Sequence, residues 1–409
     1  MSVQATRSAG IAGSVGFLLI GWSGLLVPSL IRSIEVSFAQ SDAGMGLYYL
    51  VYAIAYASGS LVGGMATERL GRRKVLGAAA SLHGAGFLIL GTAPVWTIFL
   101  AAAIPTGFGA GALDGGINGL FLDLYRSGRG RALNLLHTVF GVGALSAPIV
   151  VGRLIEAGVG YGPIIAATGL AAVAVGSAFV VVRMPSGRHE RRGPIAVGAG
   201  AVPGLGVIDR AAVGIRGIRE RMAGPVVLLA IAIGCYVAGE IGVSSWLVRF
   251  LEPAPLGVAT TALSLFWGGL ALGRLVAARF SDRFDHTLFA IATAVATGVA
   301  LVGAVLVPSL PVSIALFALT GFATGPVFPM IIALGGDRYP ERSAAVSGFL
   351  AGAAVTGSII YPPVMGFLSV TVGLQIAMLG NVALAFACAF ALVLSGRSSR
   401  EAQAGTTAS

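Results

Sequence analysis

Residues 106–126, TGFGAGALDGGINGLFLDLYR, belong to an apolar run long enough to cross a bilayer, yet Asp114 stands near its middle. A carboxylate there costs roughly 2.5 kcal/mol or more to insert, so it must face other protein or a water-filled cavity rather than lipid. Asn118 follows at i+4, one turn along the same helical face. Gly107, Gly109, Gly111, Gly115 and Gly116 let neighbouring helices approach closely. The segment reads as the lining of a polar path through a membrane. The plainer alternative is that Asp114 only hydrogen-bonds between helices.

Composition carries this reading to the whole chain. Of 409 residues, 56% are hydrophobic and 10% charged, against about 25% charged in an average soluble domain. That excludes a soluble enzyme with one anchor and points to a polytopic membrane protein. The net charge of +10 is spread between apolar runs rather than gathered on one face, which argues for membrane orientation and against nucleic-acid binding. Cys235 and Cys388 both fall inside apolar runs and are expected to be free and structural. No signal peptide is expected, because the first apolar run contains Pro28 and lacks a small-residue cleavage site.

Twelve windows are long and apolar enough to span: 11–34, 43–66, 75–95, 97–124, 132–154 and 162–183, then 225–251, 256–279, 287–308, 311–336, 342–369 and 371–395. The expected architecture is an all-α membrane protein with twelve transmembrane helices in two six-helix pseudo-symmetric bundles. The bundles are placed at 1–184 and 224–409, the second ending in a short tail, with a polar linker loop at 185–223. The end of that loop, VIDRAAVGIRGIRERM at 207–222, has the pattern of a short amphipathic surface helix. Of the 26 Lys and Arg, 23 fall on alternate loops, leaving Arg32, Arg153 and Arg249 on the other side. The positive-inside rule then puts the linker and both termini in the cytosol, across a plasma or inner membrane. A weak internal repeat supports two halves. Glu68-Arg69-Leu70 follows the second span and Asp282-Arg283-Phe284 the eighth, 214 residues on, the same offset that separates the starts of spans one and seven.

The loop after the second span, GMATERLGRR at 64–73, resembles the signature G-x-L-a-D-R-x-G-R-R of the major facilitator superfamily, with Ala66 for Leu and Glu68 for Asp. The resemblance implies a cytoplasmic gate formed by Gly64, Glu68, Arg69, Gly71, Arg72 and Arg73, with Asp282 and Arg283 as their repeat counterparts. Glu68 near the arginines is expected to form a charge-assisted latch; the bland alternative for the arginines is topology alone. Within the superfamily, GALDGGINGLF, RALNLLHTVFGVGALSAP, CYVAGEIGVSSWLVRFL, GPVFPMIIALG and GSIIYPPVMGFLS resemble, in that order, the fucose-permease group of sugar:proton symporters. In that group a helix-four acid takes part in sugar-coupled proton transfer, and Asp114 occupies its position. The helix-one element GWSGLLVPSL lacks the second acid of the characterised fucose symporter, with Gly24 near its place.

Glu240 is the second acid inside an apolar span and, with Asp114, the expected proton-coupling group. A carboxyl held out of water can take a proton in one conformation and release it in another. Sodium is the competing ion, and a structural bond to Arg249 or to a helix-five group is the competing role for Glu240. Substrate contacts are expected from Asn118, from Asn134 and His137 on one face of helix five, and from Trp22, Trp246 and Trp267, since sugars are held by polar groups and aromatic faces. Bulk packing is the commoner fate of a membrane tryptophan. His83 is taken as structural, Trp96 as an interfacial anchor, and Pro326, Pro329, Pro362 and Pro363 as bends in helices ten and eleven. The expected function is secondary active transport, proton-coupled symport of a sugar or other small polar solute, by a monomer in a lipid bilayer. A proton-antiport exporter of amphipathic compounds is the alternative. Neither enzyme activity, a cofactor, a metal site nor a nucleic-acid partner is expected, and no Walker loop points to ATP-driven transport.

The orientation is open to a direct test. Cysteine placed at Ser186 or Ser398 should resist an impermeant thiol reagent applied outside intact cells. Labelling at either position would reverse the topology.

Overall fold

The computed structural model describes residues 3–125, 129–182, 184, 223–280 and 283–407. They form helices and the turns that join them. The first part contains α1 (Val3–Gly24), α2 (Leu26–Phe38), α3 (Asp42–Leu70), α4 (Arg72–Thr92), α5 (Trp96–Leu124), α6 (Arg129–Glu156) and α7 (Tyr161–Val181). After the linker come α8 (Ala223–Phe250), α9 (Leu256–Phe280), α10 (His286–Leu306), α11 (Leu310–Thr324), α12 (Val327–Arg338), α13 (Ser343–Val372) and α14 (Leu374–Thr407). Twelve candidate membrane spans result, since α1 with α2 and α11 with α12 each make one. Helices are the outcome these sequences require, because hydrocarbon offers no partner for a backbone N–H or C=O outside the segment itself. The linker and its expected surface helix lie outside the described residues.

The chain divides into two compact units, Met1–Gly206 with Leu251–Ser264, and Val207–Phe250 with Leu265–Ser409. Leu251–Ser264 packs with the first unit, where Arg32 Nη1 donates to the Ala254 carbonyl at 2.8 Å and Gly152 leaves no room for a Cβ against Thr260.

Prolines set the breaks. Pro28 has no N–H for the carbonyl of Gly24, and the first span is interrupted at Leu25, whose own N–H turns back to Trp22 O at 3.3 Å. The tenth span is interrupted between Thr324 and Val327, at Gly325 and Pro326. Four residues after Gly325 stands Pro329, so the Gly325 carbonyl lacks its helical donor; Arg274 Nε supplies one at 3.4 Å. The expected bend at Pro362 and Pro363 differs in kind, for α13 runs on through both.

Each unit is assembled by helices in backbone contact. In the first, Gly59 of α3 abuts the Phe108 carbonyl, while Gly107 and Gly111 of α5 abut the carbonyls of Tyr52 and Tyr56. In the second, Gly273 abuts the Phe322 carbonyl, and Gly321 and Gly325 abut those of Phe266 and Leu270. Every residue in the second set lies 214 positions after its counterpart in the first, so the repeat read from two short loops extends to the packing of the helices. A Cβ at any of these glycines would overlap a carbonyl oxygen, which only axis separation relieves. Gly111→Leu should therefore lower the melting temperature of the purified protein, at a cost of about 1–3 kcal/mol or more, whereas Gly119→Leu, where nothing lies within 4 Å of the added carbon, should change it little.

Candidate functional site

In the first unit, α5 carries Asp114 and Asn118 on one face, and the amide Nδ2 of Asn118 donates both to the Asp114 carbonyl and to its Oδ1, at 3.0 Å each. The glycine contacts bring α3 close enough for Tyr56 to stand beside the Asp114 carboxyl. Asp114 is half-buried and Asn118 buried. The acid is thus solvated by protein groups, as an intramembrane carboxylate must be. Sequence reasoning paired Asp114 with Asn118 but missed Tyr56, because only the α3–α5 packing places that residue.

In the second unit, Glu240 of α8 is 9% exposed and faces Arg274 of α9, with Nη2 4.0 Å from Oε1. Arg274, one of the 23 cations that the sequence assigns to alternate loops, lies inside α9, half-buried, and is the partner the structure shows for Glu240. Tyr236, one turn before Glu240, stands near both without a well-formed hydrogen bond of its own. Glu240, Tyr236, Thr297, Thr320, Thr324 and Asn381 help line a cavity of about 20 Å³, enough for roughly one water molecule. Among the described residues no group of three or more His, Cys, Asp or Glu is placed to hold a metal ion.

The remaining expected contacts are dispersed. Asn134 and His137 are exposed on α6, with His137 edge-on to Phe17 at 5.2 Å between ring centroids. Trp22 Nε1 donates to Thr168 Oγ1 at 3.1 Å, tying α1 to α7. Trp246 is fully buried and donates to the Pro362 carbonyl at 2.8 Å, so it joins α8 to α13. Trp267 is buried edge-on to Phe266. His83 ties three helices, through Thr106 O at 2.8 Å and Ser23 Oγ at 3.0 Å, and is fully buried. Glu35 of α2 and Asp42 of α3, which sequence reasoning passed over, are buried carboxyls beside Tyr49.

At the expected cytoplasmic gate, Gly64 lies within α3 and Arg69 is exposed near its end. Gly71 turns the chain with φ +84°, a conformation that favours glycine. The side chain of Glu68, and Asp282, lie outside the described residues. Arg72 pairs with Asp123 at the end of α5, and Arg73 donates to the Val180 carbonyl of α7. Both arginines are thus engaged within their own half, and Asp123 is a partner that the loop motif did not reveal. The equivalent pair 214 residues on is His286–Asp337, with Nδ1 2.9 Å from Oδ2. Arg283 lies 5.2 Å from the centroid of the Phe280 ring.

The sequence profile of the Major Facilitator Superfamily matches residues 11–257 and again 227–408. Among curated proteins, a glucose/galactose transporter of Brucella abortus is 30% identical over 160 residues, covering 37% of this chain and 38% of that protein. The sodium-dependent glucose transporter 1A of Mus musculus is 23% identical over 134 residues, covering 33% and 32%. These alignments span about a third of the relatives' length. Two solved structures share the fold over nearly the whole chain. A bacterial homologue of the lysosomal transporter Spinster has a TM-score of 0.75 at 16% identity, covering 97% of this chain and 98% of that one. A D-xylose-proton symporter has a TM-score of 0.72 at 15% identity, covering 94% and 97%.

If Arg72 and Asp123 hold α4 to α5, Arg72→Ala and Asp123→Ala should each destabilise the protein by about 1–3 kcal/mol. The double variant should lose little more than either single one. Strictly additive losses in thermal melts would show that the pair carries no energy and that Arg72 serves topology alone.

Proposed function

Because the chain belongs to the major facilitator superfamily, we propose that it is a secondary active transporter that moves a sugar or similar small polar solute with protons by alternating access. The observation that carries this reading is Asp114, an acid in the middle of an apolar span, hydrogen-bonded by Asn118 with Tyr56 beside it. A carboxyl in that setting binds a proton in one state and gives it up in another, while its neighbours solvate the charged form. Alternating access converts the two protonation states into net movement when only the loaded and the empty carrier reorient. Glu240 with Arg274 is the corresponding polar group of the second half. A guanidinium beside Glu240 compensates its charge when the proton is absent, so Asp114, which has no such cation among its named partners, is the principal coupling site.

Support for a sugar comes from the glucose and galactose transporters that the sequence resembles and from the polar groups around Asp114. The relatives named for sodium-dependent glucose transport make sodium the ion to be distinguished. The working orientation has both termini in the cytosol, with the chain acting as a monomer. An exporter of amphipathic compounds would also employ a membrane acid, and substrate screening separates the two.

Asp114→Asn retains the size and mimics the protonated acid. In proteoliposomes it should abolish accumulation against a gradient and solute-dependent proton uptake, while counterflow persists. Glu240→Gln is the parallel variant. Uphill accumulation that survives Asp114→Asn would exclude Asp114 as the coupling site. Accumulation that follows a sodium gradient at constant pH would replace the proton with sodium.

A further inference from the structure

The aromatic residues that interact with Asp114 are tyrosines of α3, not the tryptophans that composition brings forward. Tyr48, Tyr52 and Tyr56 recur every four residues and therefore share one helical face. Their rings follow one another at 6.2 and 6.3 Å between centroids, with interplanar angles of 22° and 32°. The register of this row against α5 is set where the carbonyls of Tyr52 and Tyr56 rest on Gly107 and Gly111. Tyr56 thereby reaches Asp114, and Tyr52 stands close enough to feel the charge of that carboxyl. Both rings are partly exposed, as is Asp114.

A second observation is independent of the tyrosines. Asn118 is 9% exposed, and its Nδ2 is committed to Asp114, which leaves Oδ1 buried without a donor. A buried acceptor left unsatisfied is costly, so this atom calls for a donor, a water or a ligand hydroxyl, once the site opens.

Taken together, the groups are two oxygen acceptors, a phenolic hydroxyl that can donate or accept, and the face of an aromatic ring. Adjacent hydroxyls of a sugar ring supply the missing donors, and the C–H face of the same ring covers tyrosine. An amphipathic compound without clustered hydroxyls would leave the acceptors unpaired. We propose that Tyr52 and Tyr56, with Asp114 and Asn118, form a subsite for a pyranose, in which Tyr52 stacks on the ring and Tyr56 positions the carboxyl. This rests on the reading of the chain as a sugar carrier and adds to it the residues that recognise the sugar.

The test is equilibrium binding of D-glucose, D-galactose and D-xylose to the full-length protein in lipid nanodiscs. Wild type should bind at least one of them. For that sugar, Tyr52→Ala should weaken binding about fivefold to tenfold, and Tyr52→Phe should recover most of the loss, since the ring face is restored. Tyr56→Phe should weaken binding roughly tenfold by releasing the carboxyl. Tyr52→Leu, which keeps bulk without a ring, serves where Tyr52→Ala does not fold and should show the same loss. Wild-type binding with unchanged affinity in Tyr52→Leu and Tyr56→Phe overturns the subsite and leaves the sugar reading standing. In that event Asn118 Oδ1 holds water alone. Wild type that binds none of the three sugars overturns the sugar reading and the subsite with it.

Discussion

Helices surrounded by hydrocarbon gain nothing from burying leucine against leucine, so they associate through close packing and polar contacts instead. In this protein that requirement is met where glycines of one helix receive the backbone of another. Gly107 and Gly111 admit the carbonyls of Tyr52 and Tyr56, and Gly59 admits that of Phe108. The contact does more than join two helices. It fixes the register of α3 on α5, and register decides which side chain meets Asp114. A shift of one turn would present Tyr52 or Ser60 in place of Tyr56. The polar site of the first unit thus depends on atoms that the glycines do not possess.

The second unit repeats the contact at Gly273, Gly321 and Gly325, but the polar residues are distributed differently. Asp114 corresponds to Phe328 and Ser60 to Arg274 at the 214-residue offset. The packing was therefore retained while the chemistry diverged. One unit carries an acid held by a neutral hydrogen-bond partner, and the other an acid facing a cation. The divergence extends to the helix ends, where Arg72–Asp123 in the first half has His286–Asp337 as its counterpart. An arginine holds its charge at every physiological pH, whereas a histidine does so only when protonated.

A backbone interrupted by proline in the membrane is made good from a neighbouring helix. The Gly325 carbonyl, deprived of a donor by Pro329, takes one from Arg274. In hydrocarbon each freed carbonyl needs such a partner, since water is absent. Trp246 reads in sequence as a ligand for a sugar because tryptophan suits that role; its burial and its bond to Pro362 show it joining two helices.

What the sequence determined by itself is whatever depends on local spacing. Apolar runs of sufficient length specify twelve spans, a 214-residue offset specifies two halves, and i, i+4 spacing on one helix brings Asn118 to Asp114. Pro28 and Pro326 stand at or near the breaks, since the loss of an N–H acts within one turn. The tertiary structure alone decided the partners that come from other helices: Tyr56 for Asp114, Arg274 for Glu240, Asp123 for Arg72 and Ser23 for His83. It also placed Leu251–Ser264 with the first unit. Composition cannot choose among several tyrosines or arginines, because every helix here is apolar around most of its circumference. The choice is made by where two backbones can touch, and that is a property of the assembled helices.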